Sequence, residues 1–147
     1  LYTEERLKKM KISNGKCHIC QNDNNIETLQ HLFFSCSTSQ LILKNLQEIL
    51  IKSNIGINNP FGEKDVLLGE DTGALRHDKF LNIIIIYFKL TLWKIRNSIK
   101  YNKTPKTPQD IYKIWKQNLK YNLKCVLLLK GVDIIDKTKL ESVIKKI

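Results

Sequence analysis

Cys17, Cys20, His31 and Cys36 fall in the order C-x2-C-x10-H-x4-C. Two cysteines separated by two residues chelate one ion from a single tight turn, and a histidine and a cysteine on the next element close a tetrahedron. Thiolate and imidazole are borderline-soft donors and suit Zn²⁺ better than Mg²⁺ or Ca²⁺. Three thiolates and one imidazole fill all four positions, which makes the expected cofactor one structural zinc ion with no place left for substrate. A segment this short has little core of its own, so metal binding supplies much of its folding energy.

The other residues of this chemistry have plainer expectations. His18, between the first two cysteines, reads as an imidazole that faces solvent or supports a ligand without touching the metal. Cys125, in the apolar run 125–129, reads as a buried inert thiol. His77 reads as a loop residue. The start, 1–11, is charged and has no apolar signal region. The longest apolar stretch, 80–93, is interrupted by Asn82, Lys89 and Thr91 and is too short to span a bilayer. The expectation is a soluble intracellular chain, in cytoplasm and nucleus, with no membrane partner. In a reducing compartment its four cysteines serve metal binding better than disulfides.

The elements that position the cluster are helical. A short helix at 4–11 precedes the turn signal Asn14-Gly15. Ser37, Thr38 and Ser39 offer N-caps for a helix to about residue 52, with an apolar stripe of Leu41, Ile42, Leu46, Ile49 and Leu50. Residues 54–77, rich in Asn, Gly and Pro, read as a loop or linker with a short strand or turn near 65–68. Leu81, Ile84, Phe88, Leu92, Ile95 and Ile99 recur at helical steps and predict a long helix over 78–101. The run 83–86 is β-branched and would suit a strand in isolation, but the length of the period favours the helix. Thr107 caps a second long helix, with Pro108 at its first position and Asp110 in its first turn. Its core face is Ile111, Trp115, Leu119, Leu123 and Val126. Trp93 and Trp115 read as core anchors, Gly131 as a stop, and Asp136 as the cap of a last helix over 137–146. The expected fold is mostly α, a small zinc-stabilised N-terminal module followed by a helical C-terminal bundle. The divisions are 1–53 for the zinc module with its following helix, 54–77 for the linker, and 78–147 for a basic helical region.

Charge is distributed unevenly. The net charge is +11, and residues 79–130 alone carry 12 basic and 1 acidic side chains. Such an excess attracts polyanions. Lys113, Lys116, Lys120 and Lys124 recur at steps of three and four and form one stripe. Lys89, Arg96, Lys100 and Lys103 are spaced comparably, with Lys94 nearby. Each cation that meets a phosphate releases counterions, so affinity falls steeply with salt. Tyr101, Tyr112 and Tyr121 lie among these cations, where they either stack on unpaired bases or complete the core. A solvated face is the competing reading of the charge run. Nothing resembles a base-reading helix, so shape and charge recognition is expected.

The stretch RLKKMKISNGKCHICQNDNNIETLQHLFFSC resembles the zinc-binding region near the C-terminus of non-LTR (LINE-type) retrotransposon reverse transcriptases. The features are the Arg-Leu start, the Cys-x-x-Cys turn, the Glu-Thr pair and HLFFSC. The family's ligands, two cysteines, a histidine and a cysteine, fall here on Cys17, Cys20, His31 and Cys36. LNIIIIYFKLTLWKIRNSI resembles the family's C-terminal helix, whose Trp-Lys-x-Arg-Asn run falls on Trp93, Lys94, Arg96 and Asn97. The resemblance covers residues 4–52 well and 78–106 more loosely. It implies an accessory role beside the polymerase domain, holding template RNA or target DNA during target-primed reverse transcription.

The sequence has no Tyr-x-Asp-Asp polymerase motif and no endonuclease constellation, so this chain is not expected to be an enzyme. The x10 spacing departs from the shorter retroviral knuckle, and that knuckle's base stacking does not transfer. The expected partners are RNA or DNA, without strong sequence preference, and the polymerase domain of a parent protein. The alternative is a structural zinc module for protein docking, in which the Leu81 to Ile99 stripe is the docking face.

Overall fold

Thr107, Pro108 and Asp110 open their helix as their order predicts. The Asp110 amide donates to Thr107 Oγ1 at 3.1 Å, and the Thr107 amide donates back to the Asp110 carboxylate at 3.3 Å. This reciprocal cap, with proline at the first helical position, satisfies amides that a helix start otherwise leaves open. In a computed structural model, which describes residues 2–20, 24–57, 60–69, 79–102, 106–129 and 134–147, six α-helices follow one another. They are α1 (Glu4–Lys9), α2 (Ser37–Lys52), α3 (Glu63–Leu68), α4 (Lys79–Asn102), α5 (Pro108–Leu127) and α6 (Ile134–Lys146), with a π-helical turn (His31–Ser35) before α2. Among the described residues no helix is long and apolar enough to cross a membrane.

The apolar stripes meet as their periods require. Leu81, Ile84, Phe88, Leu92, Ile95 and Ile99 of α4 are all buried, as are Ile111, Trp115, Leu119, Leu123 and Val126 of α5. The two helices pack together, α6 packs on α5, and α2 lies across both α5 and α6. Phe88 meets Trp115 edge-on with ring centroids 6.4 Å apart, a favoured aromatic geometry. The run 83–86 is helical throughout, because the stripe buried along α4 outweighs local β-branched preference. The docking face expected along Leu81 to Ile99 is therefore core.

Several local expectations change. Leu41 is 43% exposed, and Leu43 takes a core place on α2 instead. The 65–68 stretch is the helix α3, not a strand. The Gly62 amide donates to Asp65 Oδ2 at 2.8 Å, and Gly69 ends the helix at φ +66°, a left-handed conformation that glycine adopts without strain. Cys125 is exposed, not buried. Trp93 is half-buried and not a core anchor. α6 begins at Ile134, so Asp136 lies inside its first turn and is not its cap. His77 and Gly131 lie outside the described residues.

One cluster of buried side chains runs from Cys17 and Leu32 through α2, α4 and α5 to Val143 of α6. The π-helical turn touches α2, α3 and α4, so the cysteine-bearing segment rests directly on the helices that follow it.

Candidate metal centre

The first pair of cysteines sits on a loop that its own polar residues shape. The Asn14 side chain accepts from the Lys16 amide at 3.0 Å, and Ser13 Oγ accepts from the Gly15 amide at 3.1 Å. Gly15 has φ +85°, and a Cβ there would lie 2.7 Å from Lys8 Cδ, so this turn requires glycine. The chain then returns alongside itself. Lys16 and Ile26 form an antiparallel bridge, with the Cys17 amide donating to the Asn25 carbonyl at 3.1 Å and the Glu27 amide to the Gly15 carbonyl at 2.9 Å.

The second pair sits on the π-helical turn. Thr28 Oγ1 accepts from the His31 amide at 2.9 Å, and the Cys36 amide donates to the His31 carbonyl at 2.7 Å. On an α-helix, residues five apart point about 140° away from each other. A turn closed by an i to i+5 hydrogen bond brings them back toward one side. The x4 spacing between His31 and Cys36 thus becomes a usable ligand pair. Cys36 is also the residue that caps α2. Ser37, Thr38 and Ser39 do not serve as the cap. Instead Ser39 donates to the Leu32 carbonyl at 2.6 Å, tying α2 to the π turn.

The ligand atoms of Cys17, Cys20, His31 and Cys36 all lie within 4.8 Å of one another. A zinc tetrahedron has S–N edges of about 3.6 Å and S–S edges of about 3.8 Å. Cys20 Sγ and His31 Nε2 already stand 3.5 Å apart, and a small contraction brings in the rest. Asn25 Nδ2 donates to Cys20 Sγ at 3.8 Å, an outer contact of the kind that orients a metal ligand. Cys17 and Cys36 shift each other in opposite directions. The Cys17 thiol donates to Cys36, which with the amides of Ser39 and Thr38 outweighs burial and holds the Cys36 pKa down at about 5. Its own hydrogen bond to Cys36, burial and the Cys36 charge push Cys17 up. The thiolate thus stands at the N-terminus of α2, where a helix favours negative charge. The donor set and the geometry fit one structural zinc ion.

A second polar cluster adjoins the Cys17–Cys20 turn through His18. Glu27 is fully buried, and Glu4 and Arg96 are 2% and 1% exposed. Arg96 donates from Nε and Nη2 to Glu27 Oε1 at 2.9 and 2.6 Å, and from Nη2 to Glu4 Oε1 at 2.7 Å. Lys100 Nζ joins Glu4 Oε1 at 2.6 Å. Glu27 also accepts from the amides of Glu4 and His18 at 3.1 and 3.4 Å, and His18 Nε2 lies 3.2 Å from Glu4 Oε1. Two carboxylates and two cations in one buried cluster tie α1 and the Cys17–Cys20 turn to α4. The Arg96 guanidinium lies over Trp93, its Cζ 5.0 Å from the centroid of the ring.

Burial pushes the Glu4 carboxyl up, but hydrogen bonds from Lys100 and Ser13 and the charges of Lys100 and Arg96 outweigh it, leaving it below the ordinary 4.5. A lowered folded value means that the stabilisation is complete above the ordinary range and is lost as pH falls through the lowered value. The gap in urea midpoint between the zinc-loaded chain and Glu4→Gln should therefore stay constant as pH falls from about 7 to about 5, the range in which the thiolates still hold zinc. A gap that already shrinks within that range would show that Glu4 is not held charged.

The cations expected to meet nucleic acid divide into groups. Arg96 is buried and Lys100 is committed to Glu4, so these two belong to the clamp and do not form part of a surface. Lys89 is half-buried, with its Nζ 3.4 Å from the Leu67 carbonyl. Lys103 lies outside the described residues. Lys94, Lys113 and Lys124 are exposed, and Lys116 and Lys120 half-buried. Lys113, Lys116 and Lys120 line one groove of about 310 Å³ with Gln117 and Ile147. Tyr112 stacks on Trp115 at 6.1 Å, and its hydroxyl donates to Asn45 at 3.4 Å. Burial and the Glu48 charge raise its pKa. Tyr112 is thus half in the core, whereas Tyr101 and Tyr121 are 70% and 68% exposed.

Sequence reading missed Glu4 as a site residue altogether. Glu27 and Arg96 belonged to separate short motifs, and their pairing across 69 positions left no local signal.

The family described as zinc-binding in reverse transcriptase matches residues 1–42. No curated protein and no solved structure matches the chain. All four ligands lie within the matched residues, and the match and the cluster together fit a reverse-transcriptase zinc-binding region that holds one structural zinc ion.

Proposed function

We propose that this chain is an accessory nucleic-acid-binding part of a LINE-type reverse transcriptase, which holds template RNA or target DNA near the polymerase during target-primed synthesis. The observation that carries this reading is the groove on α5, where Lys113, Lys116 and Lys120 converge and no acidic side chain is among the described lining residues. A phosphate backbone laid there would meet three cations at helical spacing, with Lys124 and the exposed Tyr121 further along the same helix. Contacts of this kind position a strand without reading its sequence. Zinc does no chemistry in this reading. It holds the N-terminal loop in shape against α4, and α4 supports α5.

The test is binding of the zinc-loaded chain to labelled single-stranded RNA and to DNA across a salt series. Affinity should fall linearly on a log-log plot. Reversing Lys113, Lys116 and Lys120 to glutamate should weaken binding on every sequence and reduce the slope by about 2 or more. An unchanged slope would place the nucleic acid elsewhere, and absence of binding even at low salt would leave these lysines a solvated face.

A further inference from the structure

α4 is apolar on two sides. Ile86, Leu90 and Trp93 lie about 160° around its axis from the buried stripe. Ile86 and Leu90 are 51% and 46% exposed. A helix with two apolar faces is built to pack on two sides, and among the described residues the bundle buries only one of them. The second face is the floor of an open groove of about 510 Å³, whose walls come from the segment around the π turn and from α3. Leu29 and Leu68 are 44% and 67% exposed on those walls. Contiguous exposed apolar surface of this kind marks an interaction site.

Lys89 is the one charged side chain among the described residues lining the groove. Burial lowers its pKa, its Nζ reaches the Leu67 carbonyl at 3.4 Å, and among the described residues no carboxylate lies within ion-pair distance of it. Beyond Leu29 and Leu67 the surface continues into a basin lined by Glu5, Arg6 and Lys9. Glu5 is taken up by Lys9 at 2.9 Å, and Arg6, which lies over the Tyr2 ring at 4.9 Å, has no carboxylate within ion-pair distance among the described residues.

We propose that this groove docks an amphipathic α-helix of another protein segment, with its apolar face on Ile86, Leu90 and Trp93 and acidic side chains meeting Lys89 and Arg6. The spacing of the floor residues, four and then three, forms the ridge that a second helix packs against. Nucleic acid is a poor occupant, because the lining offers one cation and almost no polar atoms. A second copy of this chain is also disfavoured. A twofold contact sets the same patch against itself, which would bring two cationic patches together on molecules of net charge +11.

The test uses the full zinc-loaded chain and three fluorescent helical peptides. One has leucines at i, i+3, i+4 and i+7 flanked by glutamates, one has those glutamates replaced by lysines, and one has the acidic composition scrambled. Binding is read by anisotropy, and the site by amide shift changes. The acidic amphipathic peptide should bind at least about tenfold more tightly than either control. Leu90→Glu should abolish most of that binding, and Lys89→Gln should reduce the preference for glutamate over lysine. Both positions are outside the core, and an unchanged thermal midpoint for each variant verifies that the fold is kept. Equal binding of the lysine peptide, shift changes confined to α5, or indifference to Leu90→Glu would each overturn the proposal. So would self-association of the unliganded chain that Leu90→Glu disperses, since the occupant would then be a second copy.

Discussion

Cys36→Ser should release the zinc ion and unfold residues 16–37. Of the four ligands, Cys36 has the most attached to it. It closes the π turn through its amide, it caps α2, and its thiolate is the one favoured by the amides of Thr38 and Ser39. Serine suits the N-cap position but supplies no thiolate. Structural zinc sites of this class contribute about 10–16 kcal/mol of apparent binding free energy at neutral pH, a scale larger than the net stability of most domains. The helices keep a shared core along α4 and α5, so partial structure should survive there while the N-terminal loop melts. Zinc content after dialysis and amide exchange across residues 16–37 measure the two effects. Cys125→Ser, the same atom exchange at an exposed position, should change neither. Full zinc occupancy in Cys36→Ser would remove Cys36 from the ligand set.

The ligand set was legible because it depends on a few residues at short spacing, and so were the stripes of α4 and α5, because helical period survives in any context. The cap at Thr107 was equally local. What was not legible depends on distance in sequence or on competition between local signals. Asp65 reads as part of a turn until its carboxylate is seen capping Gly62. Cys125 sits among apolar neighbours, but helical rotation turns it outward while Leu123 and Val126 turn in. Arg96 looked like one more cation in a basic stretch. Charge counting along the chain cannot separate a cation facing solvent from one facing two buried carboxylates, because those carboxylates come from positions 4 and 27.

Arg96→Met should be the most damaging substitution outside the ligand set. Arg96 neutralises Glu27 through two nitrogens and shares Glu4 with Lys100. Methionine keeps much of the volume but leaves Glu27 buried with only amide donors. Breaking a buried pair from one side costs about 3–5 kcal/mol, because the remaining charge is stranded. Arg96→Lys should recover only part of this, since a single ammonium lacks the planar fork that spans both carboxylates. Adding Glu27→Gln to Arg96→Met should return stability toward the wild type by removing the stranded charge, although the amides of Glu4 and His18 keep only a neutral acceptor. Urea unfolding of the zinc-loaded proteins measures all three. The chelator concentration needed to strip zinc should fall in parallel for Arg96→Met, because the Cys17–Cys20 turn is held through His18 to the same carboxylates. A loss below about 1 kcal/mol, in the range of an exposed ion pair, would mean that the cluster is solvated and that the zinc loop is not braced by α4.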